Sequence, residues 1–291
     1  MRNTNRTNPT VSLEAELKTL WGATSWPFTP AVQKPYSSKT YTDTYEQLIQ
    51  LLAVKASGVL YGPNGVGKSL LISTLLKQLP QKAYKTILLN HSSITASDLI
   101  RHLCRLQGVD VSNRRSDNVL TLRKMWQEFS PAWPVLIMEE AQNLSVTAME
   151  ELRLLAADRT DTQAPFSLLM VGDENLMARL MLGVNRPLLS RFGFCIQMQP
   201  WSAEDIQAYI RLRVQEVAIH VDIVEPQAEQ LLLQAGNGRP RIVNHIAQRA
   251  MEHAARAHSK LIQPDHVRLA LKQLPWLISL PDQNEQESDT L

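Results

Sequence analysis

The stretch YGPNGVGKSLL at residues 61–71 fits the pattern G-x-x-x-x-G-K-[ST] at every fixed position. It follows an apolar run of strand length and precedes the helical pattern SLLISTLLKQL. This order of strand, loop and helix is the context that a phosphate-binding loop requires. In such a loop, backbone N–H groups and the positive end of the following helix point at phosphate oxygens. The stretch therefore predicts a nucleotide site in an α/β fold, and its context disfavours the alternative of a glycine-rich turn without a ligand.

Each fixed residue of the loop has a physical role in holding a triphosphate. The glycines allow the backbone to approach the phosphates closely, Lys68 reaches the β- and γ-phosphates, and the Ser69 hydroxyl ligates magnesium. The predicted nucleotide contacts are Gly62, Pro63, Asn64, Gly65, Val66, Gly67, Lys68, Ser69 and Leu70.

Short apolar runs separated by helical stretches indicate the fold class. The runs are GVLYG, TILLN, PVLIM, FSLLMVG and FCIQMQ. Alternating strands and helices predict a parallel five-stranded sheet flanked by helices, and runs without polar alternation predict strands that are buried on both faces. After Pro200 only helices are predicted, and they begin at Ser202, at Pro226, near Pro240 and after Pro264.

These patterns divide the chain into four segments. We expect an extended N-terminal arm at 1–35 that packs Trp21, Trp26 and Phe28 on the main body. An α/β core at 36–199 and a small all-helical domain at 200–275 follow. The acidic tail at 276–291 is expected to be disordered.

Composition limits the class of protein and its compartment. The two cysteines, Cys104 and Cys195, lack metal-ligand spacing, so we expect neither a disulfide nor a zinc site, and a reducing cytoplasm fits. No apolar run approaches the ~20 residues that cross a bilayer, and the N-terminus is polar, so a soluble protein without a membrane partner is expected. The formal net charge of +2 is too small to indicate nucleic acid, and any DNA surface must be local.

The run PVLIMEEAQNL ends a predicted strand in two carboxylates. This layout is typical of an acid on the magnesium side followed by a base that activates water. Glu139 is predicted to hold magnesium through its water, and Glu140 to orient the attacking water; a solvated acidic loop is the alternative. Aspartate is more usual at the first position, and the extra methylene of Glu139 predicts slow turnover.

Three further sites complete the predicted catalytic set. Asp173, directly after FSLLMVG, is placed beside the γ-phosphate and the attacking water, although a helix-capping acid is nearly as good an interpretation. Arg186 and Arg191 precede the last strand, where a guanidinium can reach a neighbouring subunit's γ-phosphate; surface salt bridges are the alternative. In GNGRPRIVNHI, Arg239 and Arg241 at a helix start oppose the helix dipole and favour an anionic partner. We prefer Arg241 as a nucleotide contact, and ordinary surface arginines are the alternative.

Taken together, these motifs resemble the AAA+ ATPases over roughly residues 35–275. That resemblance implies ATP and Mg²⁺ as cofactors, ATP hydrolysis as an assembly switch, and an oligomer in ring or filament form. The phrases EEAQNL and GRPRIVNHI resemble the group that contains ExeA-type secretion ATPases and transposition helpers of the TniB, TnsC and MuB type. ExeA-type proteins continue into a membrane anchor, whereas this chain ends in an acidic tail, which favours transposition.

The resemblance also implies partners and a DNA surface. Transposition helpers assemble with ATP on double-stranded DNA and recruit a DDE transposase, in some cases through a target-selection adaptor. DNA contacts are expected between the second strand and the acidic pair, where hydroxyls and arginines suit phosphate contact without base recognition; an amphipathic helix with a solvated basic face is the alternative. The predicted DNA contacts are Ser92, Ser93, Thr95, Arg114, Arg115, Arg123 and Lys124.

The leading interpretation is an ATP-dependent, DNA-binding oligomer that selects target DNA and activates a transposase. A secretion or membrane-assembly ATPase that acts without DNA is the second interpretation. A stand-alone P-loop NTPase with a metabolic or signalling substrate is the third. ATP-dependent retention on duplex DNA distinguishes the first from the others.

Overall fold

The computed structural model describes residues 15, 17–29, 35–90, 95–157, 164–219 and 221–278. These residues form two compact units. One unit comprises residues 37–200, and the other combines the residues before Ser37 with those from Trp201 onward.

The first unit is a parallel five-stranded sheet flanked by helices, which confirms the predicted fold class. The strands are β1 (Ser57–Tyr61), β2 (Tyr84–Leu89), β3 (Trp133–Met138), β4 (Ser167–Gly172) and β5 (Phe192–Gln197), in the spatial order β2-β3-β4-β1-β5. All four pairings are parallel. The helices are α1 (Lys39–Ala53), α2 (Lys68–Gln78), α3 (Ala96–Leu106), α4 (Arg115–Glu128), α5 (Val146–Leu155), α6 (Glu174–Met181) and α7 (Arg186–Leu189).

Two apolar layers cover the sheet, one on each face. Leucines of α1 and α2 pack on one face, and α3 to α7 supply most of the layer on the other. The three central strands are almost entirely buried, as their apolar sequences predict. Burial on both faces is wrong for β2 and β5, because each lies at a sheet edge and has exposed residues.

The strand register places the motifs at two opposite edges of the sheet. The strands β3, β4 and β1 are neighbours and run parallel, so the residues that follow them leave the sheet at the same end of the strands. This end is called here the carboxyl edge. Tyr61 pairs with Gly172 at this edge. At the opposite, amino edge, Ser57 pairs with Phe192, the residue directly after Arg191.

The second unit is helical and contains no strand within its described residues. Its helices are α8 (Ala203–Glu216), α9 (Pro226–Gly236), α10 (Pro240–Arg256), α11 (Pro264–Lys272) and α12 (Pro275–Ile278). Proline occupies the first turn of α9, α10 and α11, where its missing N–H would have no intrahelical partner. The Ser202 hydroxyl caps α8 by accepting the N–H of Asp205 at 3.1 Å. The predicted helix starts are therefore confirmed.

The N-terminal arm packs in the helical unit. Leu17, Trp21 and Phe28 are buried among the helix side chains, and the Trp21 indole donates to the Lys260 carbonyl at 2.7 Å. Residues 17–21 are helical, so the expectation of an extended arm is wrong for them. Most of the predicted acidic tail lies outside the described residues. Within the described part of the chain, every helix is too short or too polar to span a bilayer.

Candidate nucleotide-binding site

The phosphate loop connects β1 to α2 at the carboxyl edge, and its backbone requires glycine at two positions. At Gly62, φ is +154°, and a Cβ would lie 2.2 Å from the Met198 carbonyl oxygen. That carbonyl is fixed in place because the Met198 N–H donates to Tyr61 at 2.8 Å. Gly67, with φ of +113°, begins α2 without a side-chain cap. The first N–H groups of α2 are thus left to an external acceptor such as a phosphate oxygen.

Lys68 is buried in the loop with only 8% of its surface exposed. Its ammonium donates to the carbonyl oxygens of Gly62 at 2.7 Å and Pro63 at 2.9 Å. These neutral acceptors hold the cation beside the loop, and an anionic phosphate oxygen is a stronger acceptor for the same protons. The geometry therefore suits exchange of carbonyl contacts for phosphate contacts when a nucleotide binds.

The remaining loop residues differ in what they offer a ligand. Ser69 is exposed in the first turn of α2, where its hydroxyl is accessible to a metal ion. Val66 is fully buried in the core beneath the loop, so only its backbone is available. Asn64 and Leu70 are exposed, and Gly65 takes a positive φ of 91°.

Glu139 follows β3, and its backbone N–H donates to the Leu89 carbonyl at 2.9 Å, which extends the β2–β3 ladder by one residue. One carboxylate oxygen, Oε1, is buried and accepts no hydrogen bond from the described residues. A buried carboxylate oxygen without a donor is unfavourable, and a cation relieves that cost. Oxygen ligands from a carboxylate and a hydroxyl suit Mg²⁺, so Glu139 and Ser69 fit the ion that the loop implies.

Glu140 lies next in the chain, in a left-handed conformation with φ of +52°. This conformation costs on the order of 1–3 kcal/mol for a residue other than glycine, and such strain is concentrated at functional sites. The side chain is exposed, and Oε2 accepts the Gln142 side-chain N–H at 2.8 Å. A water-accessible carboxylate at this edge can accept a proton from an attacking water.

Asp173 follows β4 and caps α6. Its two carboxylate oxygens accept the backbone and side-chain N–H groups of Asn175 at 2.9 and 3.1 Å. The capping alternative is thus present in the structure, and contact with a γ-phosphate stays a prediction. The Asp173 N–H donates to the Gln142 side-chain oxygen at 3.3 Å, so one glutamine contacts the residues that follow both β3 and β4.

Two residues of this site, Gln142 and Arg179, were not predicted from the sequence. The Arg179 guanidinium donates to the backbone carbonyls of Gln142 and Leu144, and Asn185 donates to the Arg179 carbonyl at 2.8 Å. Gln142 stands inside EEAQNL and was within reach of the motif, whereas nothing near Arg179 in the sequence indicates a partner 37 residues away.

Comparison with known proteins agrees with this geometry. Residues 49–180 match the family model of the AAA domain. The crystal structure of Cdc6p from Pyrobaculum aerophilum aligns with a TM-score of 0.67 at 18% sequence identity, over 88% of this chain and 74% of that one. The α/β unit has the P-loop AAA+ fold.

Curated proteins similar to this chain are named for two different processes. General secretion pathway protein A of Aeromonas hydrophila is 29% identical over 212 residues, which are 71% of this chain and 39% of that protein. Subunit RuvB of the Holliday junction branch migration complex from Lactobacillus delbrueckii is 29% identical over 224 residues, 74% of this chain and 58% of that protein. The chain therefore matches less than two thirds of the length of either relative.

Two arginines, Arg186 and Arg191, are predicted to reach the γ-phosphate of a neighbouring subunit, and both are exposed on the α/β unit. Neither Arg186 nor Arg191 pairs with an acidic side chain among the described residues, so the salt-bridge alternative is absent there. Arg191 precedes β5 at the amino edge, whereas the phosphate loop follows β1 at the carboxyl edge. The length of β1, about 13 Å for its four residue steps, separates these two edges.

Arg241 lies in the helical unit, in the first turn of α10, and it is exposed. Arg239 is the N-cap residue of the same helix, and its buried Nε atom has no acceptor among the described residues. Both arginines stand where an anion would offset the helix dipole, and the nucleotide contact of Arg241 stays a prediction.

The predicted DNA contacts divide into residues with and without partners inside the AAA+ domain. Ser92 and Ser93 lie outside the described residues. Thr95 caps α3, because its hydroxyl accepts the Asp98 N–H at 3.2 Å and donates to the Asp98 carboxylate at 2.6 Å. Arg114 and Lys124 are exposed cations.

Arg115 and Arg123 bind α5 and its C-terminus, so partners inside the domain compete with DNA phosphates for these two predicted contacts. Arg115 forms a bidentate ion pair with Glu151, and Arg123 donates to the Leu154 and Ala157 carbonyls at the end of α5. The segment before α4 is held by a side chain of that helix. The Asn118 side chain closes it through hydrogen bonds of 2.7 and 2.9 Å to the backbone of Ser112.

Proposed function

We propose that this chain is an ATP-dependent oligomer that binds double-stranded DNA, selects the target of a mobile element and recruits a DDE transposase. The observation that carries the proposal is the division of the site between two edges of one sheet. The phosphate loop, the two glutamates and Asp173 meet at the carboxyl edge, while Arg191 lies at the amino edge.

The carboxyl edge supports binding and hydrolysis of ATP. Lys68 and the α2 N-terminus would bind the phosphates, and Ser69 and Glu139 would hold Mg²⁺. When bound, Mg²⁺ neutralises charge on the β- and γ-phosphates. Glu140 would accept the proton of the attacking water, because its carboxylate is exposed at this edge and held by one hydrogen bond.

The position of Arg191 supports assembly. A guanidinium at the amino edge cannot serve the phosphate loop of its own sheet without crossing β1, so it would complete the site of a second copy. ATP would then be bound where two subunits meet, and nucleotide state would control the length of the oligomer.

DNA binding is supported by the exposed cations Arg114 and Lys124 and by the likeness to RuvB, named as part of a Holliday junction complex. The transposition role rests on the resemblance of EEAQNL and GRPRIVNHI to transposition helpers. A filament needs only a small basic surface on each subunit, because contacts repeat along the duplex.

ATP-dependent retention on duplex DNA tests the proposal. Wild-type protein should shift a long duplex with a slowly hydrolysed ATP analogue at low salt, and negative-stain images should show rings or filaments on that DNA. ADP, and the Lys68→Ala variant with the analogue, should give neither. If wild-type protein binds ATP but never duplex DNA, the DNA and transposition roles are refuted.

A second candidate is an ATPase that assembles secretion or membrane machinery without DNA. The 29% identity to General secretion pathway protein A over 71% of this chain favours it. ATP-dependent oligomers that form equally well with and without duplex DNA would support this candidate over the first.

A further inference from the structure

Gln142 is a buried amide that joins the residues after β3 and β4. Its Nε2 donates to Glu140 Oε2 at 2.8 Å, and its Oε1 accepts the Asp173 N–H at 3.3 Å. Only 8% of the residue is exposed. The donor and the acceptor of this buried glutamine are both engaged by residues of one site, so the amide has a defined orientation. Exchanging its oxygen and nitrogen would place an acceptor against the carboxylate and a donor against the N–H.

The surroundings of Gln142 hold this amide in place. The Arg179 guanidinium binds the Gln142 carbonyl, which fixes the backbone of the short 3₁₀ helix Ala141–Asn143. Gly172 leaves the space that the side chain needs, since a Cβ there would lie 2.5 Å from Gln142 Oε1. Arg179 thus fixes the backbone of Gln142, and the end of β4 leaves room for its side-chain amide.

We propose that Gln142 is a positioning residue for ATP hydrolysis, an inference that rests on the function proposed above. Its N–H anchors one oxygen of Glu140, and no described residue donates to the other oxygen, Oε1. That oxygen is left to accept the proton of the attacking water. A base held by a third group in a fixed orientation is a recurring arrangement in active sites.

Gln142 also connects Glu140 to the end of β4. Because the amide is planar, a displacement of the Asp173 N–H moves the oxygen that accepts it and the nitrogen that holds Glu140 together. A change at the end of β4 would thus alter the orientation of the base without any contact between Asp173 and Glu140.

The test is the substitution Gln142→Glu, which keeps the shape and an acceptor for Asp173 but replaces the donor to Glu140 with a second carboxylate. We expect kcat for ATP to fall about 10- to 100-fold, part of the 10²–10⁴-fold that general-base catalysis supplies. The KM for ATP should change less than about twofold, because the phosphate contacts are unaffected.

Two variants make the outcome decisive. Gln142→Met removes donor and acceptor without adding charge, and it should lower kcat with a nearly unchanged KM for ATP. Gln127→Glu adds the same charge at an exposed glutamine of α4 and should leave kcat and KM unchanged. A Gln142→Glu enzyme with wild-type kcat, or one whose ATP affinity falls as much as its kcat, overturns the inference. A wild-type protein that binds no ATP refutes the proposed function itself, and the inference with it.

Discussion

The Nε and Nη2 atoms of Arg115 donate to both carboxylate oxygens of Glu151, joining the start of α4 to α5 across 36 positions of the chain. Side-chain exposure is 49% for Arg115 and 13% for Glu151, so solvent screens one partner and the pair contributes modestly to stability. The neighbouring Arg114 has no acidic partner among the described residues. Two adjacent arginines thus have different roles.

The first prediction separates these roles. Arg115→Ala should lower the free energy of unfolding by roughly 0.5–1 kcal/mol and leave the salt slope of DNA binding nearly unchanged. Arg114→Ala should leave stability unchanged and reduce that slope by about 0.9 per subunit, on every sequence equally. Urea unfolding and duplex binding at several salt concentrations measure both effects. A lower salt slope in Arg115→Ala together with a lower stability in Arg114→Ala would contradict this prediction.

The second prediction concerns Lys68. Lys68→Ala should abolish measurable ATP binding, because the triphosphate loses a charge-assisted contact in a buried site, a loss of several kcal/mol. Lys77→Ala, at the other end of α2, is the matched control and should bind ATP as wild type does. Calorimetric titration with ATP and Mg²⁺ gives both affinities. Equal affinity in wild type and Lys68→Ala would exclude the phosphate-loop assignment.

The third prediction distinguishes the two glutamates. Glu140→Gln should bind ATP normally and hydrolyse it about 10²–10⁴-fold more slowly, since the base is lost. Glu139→Gln should weaken the Mg²⁺ dependence of ATP binding. It should also raise Tm without metal, because the substitution removes the charge from a carboxylate whose Oε1 atom is buried without a hydrogen-bond donor. Phosphate release, Mg²⁺ titration and thermal melts check the pair, and wild-type turnover by Glu140→Gln would assign the base elsewhere.

The fourth prediction places Arg191 in the site of a neighbouring subunit. Arg191→Ala should bind ATP with wild-type affinity, because its own phosphate loop is intact. It should fail to oligomerise or to hydrolyse ATP, because each site then lacks the arginine of the neighbouring subunit. Mixing it with Lys68→Ala should recover part of the hydrolysis at hybrid interfaces, where an intact loop meets an intact arginine. Sedimentation and phosphate release follow the mixture. Inactive mixtures of two folded variants at saturating concentration would argue against action between subunits.

Sequence patterns predicted the central part of the fold because its signals are local. Apolar runs mark the buried strands, glycines mark the phosphate loop, and prolines mark the starts of α9, α10 and α11. The order of the strands in the sheet, which local signals do not contain, decides which strands lie at its edges. The edge positions of β2 and β5 leave two of six residues exposed in β2 and three of six in β5, although the local sequences predict buried strands.

Contacts between residues distant in sequence explain what was missed at the site. The sequence around Arg115 and Arg123 predicts a basic surface. Their hydrogen-bond acceptors, however, belong to α5 and its C-terminal end, more than thirty positions away in the chain. The link from Gln142 to Asp173 likewise depends on β3 and β4 being neighbours in the sheet. No periodicity or motif near these residues records such partners.

The packing of Trp21 and Phe28 among helices from α8 onward has a consequence for the order in which the chain folds. The helical unit needs residues from both ends of the sequence, whereas residues 37–200 are continuous. During synthesis the AAA+ domain emerges complete while the arm still lacks the surface that buries its aromatic side chains. Because domains fold as units while the ribosome elongates the chain, the α/β unit should form first and the arm should wait for the helices of the second unit. Trp21 and Phe28 are then exposed and a target for chaperones until those helices are synthesised.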